Sequence, residues 1–461
     1  MDNPENRASQ QPKLISYIIA PPVKQAIEAA KGQPGATINV IINLVESREK
    51  PEEGVGPAKA AIKKWIAALD YPTNVRESDF YLFASLRPED IQALSTSPDV
   101  YQIWLDEQCQ AHLLQSCDTI KASACWRTFD ARGKGITWAV MDTGIRYDHP
   151  HFQLYDNIDK QLSKNFSASP TEEDRFGHGT HVAGIIAGAP PQPKEGDPYL
   201  AATYLENADE PRIDPLDGCP SGVAPMARLI NVKVLDDQGN GAASAAILGL
   251  EHLRKINQSS REIRVDGVNM SLGYPFDPKW YGCGFSPLCQ EVRRTVNSGI
   301  IVVVSCGNAG YGVAKVEGRD VPMYLELSVA DPANTEEAIS VGAVHKSAPH
   351  RYGVSYFSSK GPTGDGRLKP DLVAPGEKVI SCSIQFDSAQ KKYHYEEKSG
   401  TSMAAPHVSG SIAAFLSVHR EYRGDPQAVK EVLMKTATDL GRQRNFQGAG
   451  MVDLMRAIMS V

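Results

Sequence analysis

The sequence predicts an α/β protein: a mostly parallel sheet with helices on both faces, preceded by a small α+β domain. Beyond residue 113, short apolar runs of buried-strand type alternate with segments of helical periodicity, the pattern of parallel strands joined by helical crossovers. Before residue 112 a shorter β-α-β-α-β succession stands apart. The 461 residues, 41% hydrophobic and 22% charged, suffice for both domains and for a sizeable buried core.

In the amino-terminal domain, residues 1–112, the β-branched run from Ala36 to Leu44 predicts a strand. Residues 56–70 place Ala58, Ala61, Ile62, Trp65 and Ile66 at helical spacing. Phe80 to Leu86 is a second strand, Pro88-Glu89-Asp90 starts a helix through Leu94, and Val100 to Leu105 is a third strand. This is a small sheet with helices on one face, of ferredoxin-like type.

In the second domain, residues 113–461, Gly135 to Met141 is a buried strand and His178 opens a helix running through Ile186. Leu229 to Leu235 is a strand, and residues 242–256 are helical, with Ala246, Ile247, Leu250 and Leu253 on one face. Strands follow at Val268 to Leu272, Ile300 to Val304 and Ile339 to Val344, and Ser402 starts a helix that runs to His419. In such a sheet the active groups belong at strand ends and helix starts.

Three motifs supply those groups. Val140-Met141-Asp142-Thr143-Gly144 ends the first strand, Gly177-His178-Gly179-Thr180-His181 opens a helix, and Gly400-Thr401-Ser402-Met403-Ala404-Ala405-Pro406-His407 opens another. A serine hydroxyl is a poor nucleophile at neutral pH. An imidazole can take its proton and later hand it to the leaving amine, and a buried carboxylate fixes the tautomer and stabilises the imidazolium. The expected roles are Ser402 nucleophile, His178 general base and acid, and Asp142 orienting carboxylate. Asn308, before Ala309-Gly310, taken alone reads as a turn asparagine; beside the three motifs it is the best polar candidate to offer an amide N–H to the oxyanion of the tetrahedral intermediate, with the Ser402 N–H as second donor.

Gly400 is expected to allow a tight turn where a Cβ would crowd the backbone. Pro406 falls in the first turns of its helix, where a missing N–H costs least. His407 should point away from Ser402, and His181, without a third ligand nearby, reads as structural and not as half of a metal pair.

The chain resembles the subtilisin-like serine proteases, the S8 peptidases. Gly177 to Gly184 is similar to the family's histidine motif, Cys306-Gly307-Asn308-Ala309-Gly310 to its oxyanion strand, and Lys369 to Gly376 to the segment before the nucleophile. Gly222-Val223-Ala224-Pro225, with Leu229 to Leu235, looks like a structural strand of that family. The resemblance implies a subtilisin-like sheet and a serine endopeptidase working through an acyl-enzyme on polypeptide substrates. It implies no required cofactor and no catalytic metal. Ser271, Leu272 and Gly273, and Ser305, Cys306 and Gly307, would line the pocket for the residue before the scissile bond, and their small walls favour an apolar or aromatic side chain. Tyr274 stands where relatives often have glycine and should narrow the groove.

The amino-terminal domain resembles the family's prodomain, mainly over Leu86 to Asp106. It would then act as an intramolecular inhibitor, cut near residues 112–116; the other reading is a permanent partner-binding domain. For the whole chain, the opposed reading is a catalytically silent peptide-binding module. Two inserts depart from the family. Pro190 to Ser221 carries Asp197, Glu206, Asp209, Glu210, Asp214 and Asp217, read as a solvated loop with a calcium site as the alternative. At the family's nearby calcium carboxylate position stands His151. Phe276 to Cys289, with Trp280, Tyr281 and Phe285, is placed to wall the groove.

A net charge of −7 without dense basic clusters argues against a nucleic-acid partner, and no apolar run approaches the roughly 18 residues that cross a membrane. Met1 to Gln11 is polar, with no basic stretch leading into an apolar core. A cytoplasmic location is expected, or secretion if a signal lies outside this sequence; known relatives are mostly secreted. The cysteines are Cys109, Cys117, Cys125, Cys219, Cys283, Cys289, Cys306 and Cys382, irregularly spaced. Cys306 reads as a small core residue, and Cys283 and Cys289 flank a loop that a disulfide could close in an oxidising compartment.

Overall fold

The structure, a computed structural model, describes residues 18–32, 35–46, 54–106, 115–194, 196–204, 210–216, 220–277, 279, 282–316, 318–386 and 393–461. The chain divides into two compact units near residue 110.

The first unit contains α1 (Pro21–Ala29), β1 (Ile38–Leu44), α2 (Gly56–Ile66), β2 (Arg76–Glu77), β3 (Tyr81–Leu86), α3 (Pro88–Leu94) and β4 (Val100–Leu105). Its strands form one antiparallel sheet in the order β2-β3-β1-β4. Alternate residues of β1, Val40 and Ile42, turn to a core shared with Ile62, Leu82, Ile91 and Ile103. The helix expected over 56–70 stops at Ile66, and the strand expected from Ala36 starts at Ile38.

The second unit runs α4 (Gln115–Thr119), α5 (Ala122–Phe129), β5 (Thr137–Asp142), β6 (Lys164–Asn165), α6 (His178–Ile186), β7 (Leu200–Thr203), β8 (Arg212–Pro215), β9 (Arg228–Lys233), α7 (Ala243–Gln258) and β10 (Gly267–Met270). It continues through α8 (Pro287–Asn297), β11 (Ile301–Ser305), β12 (Tyr311–Val316), β13 (Arg319–Tyr324), β14 (Ile339–His345), α9 (Pro349–Tyr352), β15 (Leu372–Glu377), β16 (Val379–Cys382), β17 (Tyr395–Lys398), α10 (Thr401–Val418), α11 (Pro426–Thr436), α12 (Arg444–Gln447) and α13 (Leu454–Met459).

Seven strands form a wholly parallel sheet in the order β15-β14-β11-β10-β5-β9-β6. Strand periodicity divides its side chains between two cores. Trp138, Val140, Ile301 and Val303 meet α6 and α10 through Val182, Ile185, Val408 and Phe415. Ala139, Met141, Val302 and Val304 meet α7 and α8 through Leu250, Leu253 and Val292. The sheet is covered on both faces, which is why its strands read as unbroken apolar runs. After β5 the chain adds β9 on one side and then β10 on the other, so the switch point lies at the carboxyl end of β5, where doubly wound sheets open a crevice.

The 190–221 insert is not all loop: its strands β7 and β8 form a hairpin that joins a second sheet, β16-β17-β7-β8. Its acids among the described residues are solvated as expected: Asp197 and Glu210 are exposed, and Asp214 pairs at the surface with Arg212 at 2.5 Å. Glu206, Asp209 and Asp217 lie outside the described residues, as do Trp280 and Tyr281 of the other insert. Cys283 and Cys289 are both free and buried and form no disulfide. Cys109 and Cys219 lie outside the described residues.

Candidate active site

Asp142 is the last residue of β5 and is fully buried. Its Oδ1 accepts from the Thr143 N–H at 2.7 Å and meets His178 Nδ1, also at 2.7 Å. His178 is the first residue of α6, so its ring projects from a helix start toward the strand end. Burial disfavours the imidazolium, but the attraction and hydrogen bond of Asp142 outweigh it and raise the His178 pKa above its ordinary value.

Asp174 holds this helix start, and sequence motifs gave no sign of it. Its Oδ1 accepts from Thr143 Oγ1, Phe176 N and Gly177 N, and its Oδ2 from Thr180 N and Thr180 Oγ1, at 2.6–3.0 Å. Thr143 Oγ1 in turn accepts from Gly179 N at 2.9 Å. The strand end bearing Asp142 and the helix start bearing His178 are thereby laced together.

Ser402 is the second residue of α10. Pro406 sits inside that helix, further in than its first turn, and lacks the N–H that would bond the Ser402 carbonyl. Ser271 Oγ, just past β10, donates to that carbonyl at 2.9 Å, while Ser402 Oγ donates to the Ser271 carbonyl at 3.3 Å. The serine hydroxyl thus rests on a backbone acceptor.

Asn308 is oriented by Thr401. Its Oδ1 accepts from Thr401 N at 2.9 Å and Thr401 Oγ1 at 3.0 Å, which leaves Nδ2 as the outward-facing donor. His178, Ser402, Asn308, Ser271, Leu272, Gly273, Ser305 and Gly307 all line one open pocket of about 690 Å³. Tyr274 and Phe276 line it as well, the former with its hydroxyl on Ser286 Oγ at 3.1 Å. Gly307 has φ +105°, and a Cβ there would stand 2.9 Å from Ser359 Oγ, so glycine is required.

Two expectations are corrected. Cys306 does not line the pocket: it is fully buried with its Sγ toward Ser358 and Ser359, because strand alternation turns it away from Ser305 and Gly307. Gly400 is extended, and a Cβ there would make only ordinary contact, 3.5 Å from Asn308 Nδ2, so no tight turn demands it. His407 and His181 are buried and bonded to backbone carbonyls, Met403 O at 2.8 Å and Glu396 O at 3.0 Å. Burial lowers both pKa values, to about 4 for His407.

The sequence model of the subtilase family matches residues 133–451, the span that carries every one of these groups. The chain belongs to the subtilase family. It is 29% identical over 399 residues to serine protease AprX of Bacillus subtilis (strain 168), covering 81% of this chain and 78% of that one. It is 30% identical to the intracellular serine protease of Paenibacillus polymyxa, covering 77% of this chain and 89% of the relative, and 32% identical to subtilisin E of Bacillus subtilis (strain 168), covering 70% and 66%. This subtilase is a serine-type endopeptidase acting on polypeptides.

Subtilases need no cofactor for catalysis. His151, which the resemblance sets at the family's calcium carboxylate, is buried, with Nε2 at 3.2 Å from Gly184 O and 3.1 Å from Ala187 O. Burial pushes its pKa down to about 3, so a neutral ring fills the place and calcium does not fit there. Among the described residues no group of three His, Cys, Asp or Glu could hold a metal, and no helix is long and apolar enough to cross a membrane.

Proposed function

We propose that this subtilase cleaves peptide bonds with Ser402 as nucleophile, His178 as general base and then acid, and Asp142 as the carboxylate that orients and charges the imidazole. The observation that carries the reading is the 2.7 Å His178–Asp142 bond beside a pocket that both Ser402 and Asn308 face. With the Asp142 carboxylate on Nδ1, Nε2 is the basic nitrogen and faces the groove. His178 takes the Ser402 proton as Oγ attacks the scissile carbonyl. Asn308 Nδ2 and the Ser402 N–H hold the oxyanion, and His178 then protonates the leaving amine. Water repeats the sequence to release the acyl group.

The substrate lies extended between Ser271-Leu272-Gly273 and Ser305–Gly307, with an apolar or aromatic side chain in the pocket. The amino-terminal unit, residues 1–112, serves as an intramolecular inhibitor. The protein works in the cytoplasm, a placement supported by two relatives named as intracellular and by the six cysteines among the described residues, all free and buried.

The test is covalent labelling with a serine-directed phosphonate, read by intact mass. The wild type should gain one adduct and Ser402→Ala none, with its fold intact; equal labelling of the variant overturns the assignment. Asn308→Ala should keep the label but lose roughly a hundredfold or more in kcat.

A further inference from the structure

We propose that Lys360 is a positioning residue for the oxyanion site: its buried ammonium gathers three backbone carbonyls and so fixes the segment after β11 that presents Asn308. The inference rests on the reading of Asn308 as oxyanion donor and adds to it the group that holds that donor in place.

Lys360 is 1% exposed. Its Nζ donates to Gly310 O at 3.0 Å, Ser358 O at 2.8 Å and Tyr356 O at 3.0 Å. Among the described residues its contacts include no carboxylate. The neighbouring groups are the rings of Tyr324 and Phe446, 4.8 and 5.3 Å from Nζ, and the thiol of Cys306. Burial pushes that thiol up to about 12, so it stays neutral. An ammonium has three donors, and here each meets a carbonyl.

Those carbonyls belong to the frame of the site. Gly310 N donates to Phe357 O, Ser359 N to Gly307 O and Ala309 N to Ser359 Oγ, at 2.9–3.1 Å, so residues 357–360 hold 307–310 from end to end. Lys360 N donates to Ser328 Oγ and Ser328 N to Lys360 O, joining the pocket wall at Ser328 to the same frame. A Cβ on Gly310 would run into Ser358 O and Lys360 Nζ, a sign of how closely the parts are fitted. Loss of the proton would leave two donors for three converging carbonyls and set a lone pair against one of them. The 307–310 segment would then relax, and Asn308 with it.

Burial without a carboxylate lowers the Lys360 pKa to about 8, so this change falls in an accessible range. The sign separates a positioning role from a general structural one. A lysine depressed in the fold makes the unfolded chain bind more protons between about pH 8 and 10, so its contribution to stability rises with pH there. Catalysis should move the other way.

The experiment measures kcat and KM on a short peptide substrate from pH 6 to 10, normalised to sites titrated by the phosphonate, for wild type, Lys360→Arg, Lys360→Met and Lys360→Met in an Asn308→Ala background. Wild-type kcat should fall above about pH 8 with KM nearly constant, while thermal stability does not fall in step. Lys360→Arg, charged throughout, should lose that fall. Lys360→Met should lower kcat about tenfold at pH 7, yet less than twofold when Asn308 is already alanine. An unchanged alkaline fall in Lys360→Arg, or an equal cost of Lys360→Met in both backgrounds, overturns the proposal. If Lys360→Met does not fold, the arginine profile decides. Failure of the wild type to label with phosphonate would instead overturn the nucleophile assignment.

Discussion

His178 carries a charge balance that can be read in a pH profile. Its folded pKa is raised, so the imidazolium is favoured in the fold; that contribution to stability is full below about 6.5 and fades as pH rises through the raised value. In the proposed mechanism activity needs the neutral ring and has the opposite sense. kcat/KM should therefore be lost as pH falls, with a midpoint above 6.5, the ordinary histidine value. Asp142→Asn should move that midpoint down and cut kcat by roughly ten-thousandfold, since the wrong tautomer is then favoured. A midpoint that stays in place would show that Asp142 does not set the charge of His178. The positions of the proposed triad residues were legible because each stands in a glycine-punctuated motif, Asp142 at a strand end and His178 and Ser402 at helix starts. Asp174 was not: it bonds three backbone amides and the hydroxyls of Thr143 and Thr180 across a loop, and a single aspartate before Arg175 gives no periodic sign of that. Cys306 was placed in the groove by motif similarity, although the alternation along Ser305-Cys306-Gly307 already turned it inward.

At the scale of elements, α10 shows how a helix that breaks a rule is completed by a neighbouring strand. Pro406 frees the Ser402 carbonyl, and Ser271 Oγ supplies the missing donor from the end of β10. Ser271→Ala should leave that carbonyl unpaired and cost about 1–3 kcal/mol, read as a lower urea midpoint, whereas Ser271→Thr keeps the donor and should cost less. Equal midpoints for alanine and wild type would mean that another group meets the carbonyl. The parallel strands were legible because burial on both faces leaves them almost wholly apolar, as in Ile301-Val302-Val303-Val304. The β7–β8 and β12–β13 hairpins were not. Their strands are short, polar or exposed, and β7 is held by Tyr395–Lys398, whose sequence Tyr-Glu-Glu-Lys has little strand character of its own.

At the scale of the molecule, the amino-terminal unit is built to stand alone. Its core of Val40, Ile42, Ile62, Leu82, Ile91 and Ile103 is its own. The opposite face of its sheet carries Ile41, Phe83 and Trp104, and Trp104 is 44% exposed. The match to AprX covers 81% of the chain, more than the catalytic unit alone can supply, so the relationship extends into this unit. An inhibitory domain should act in trans: a separately made residue 1–112 fragment should bind the mature enzyme and slow peptide hydrolysis, with inhibition relieved by dilution. Active protein should release a fragment of about 110 residues as it matures, while Ser402→Ala stays uncut, because the cut is its own product. The inhibition assay and intact-mass measurement decide together. A fragment that neither binds nor inhibits, alongside active enzyme that keeps Met1 to Val461 in one chain, would make this unit a permanent partner-binding domain, with the Trp104 face as its contact surface.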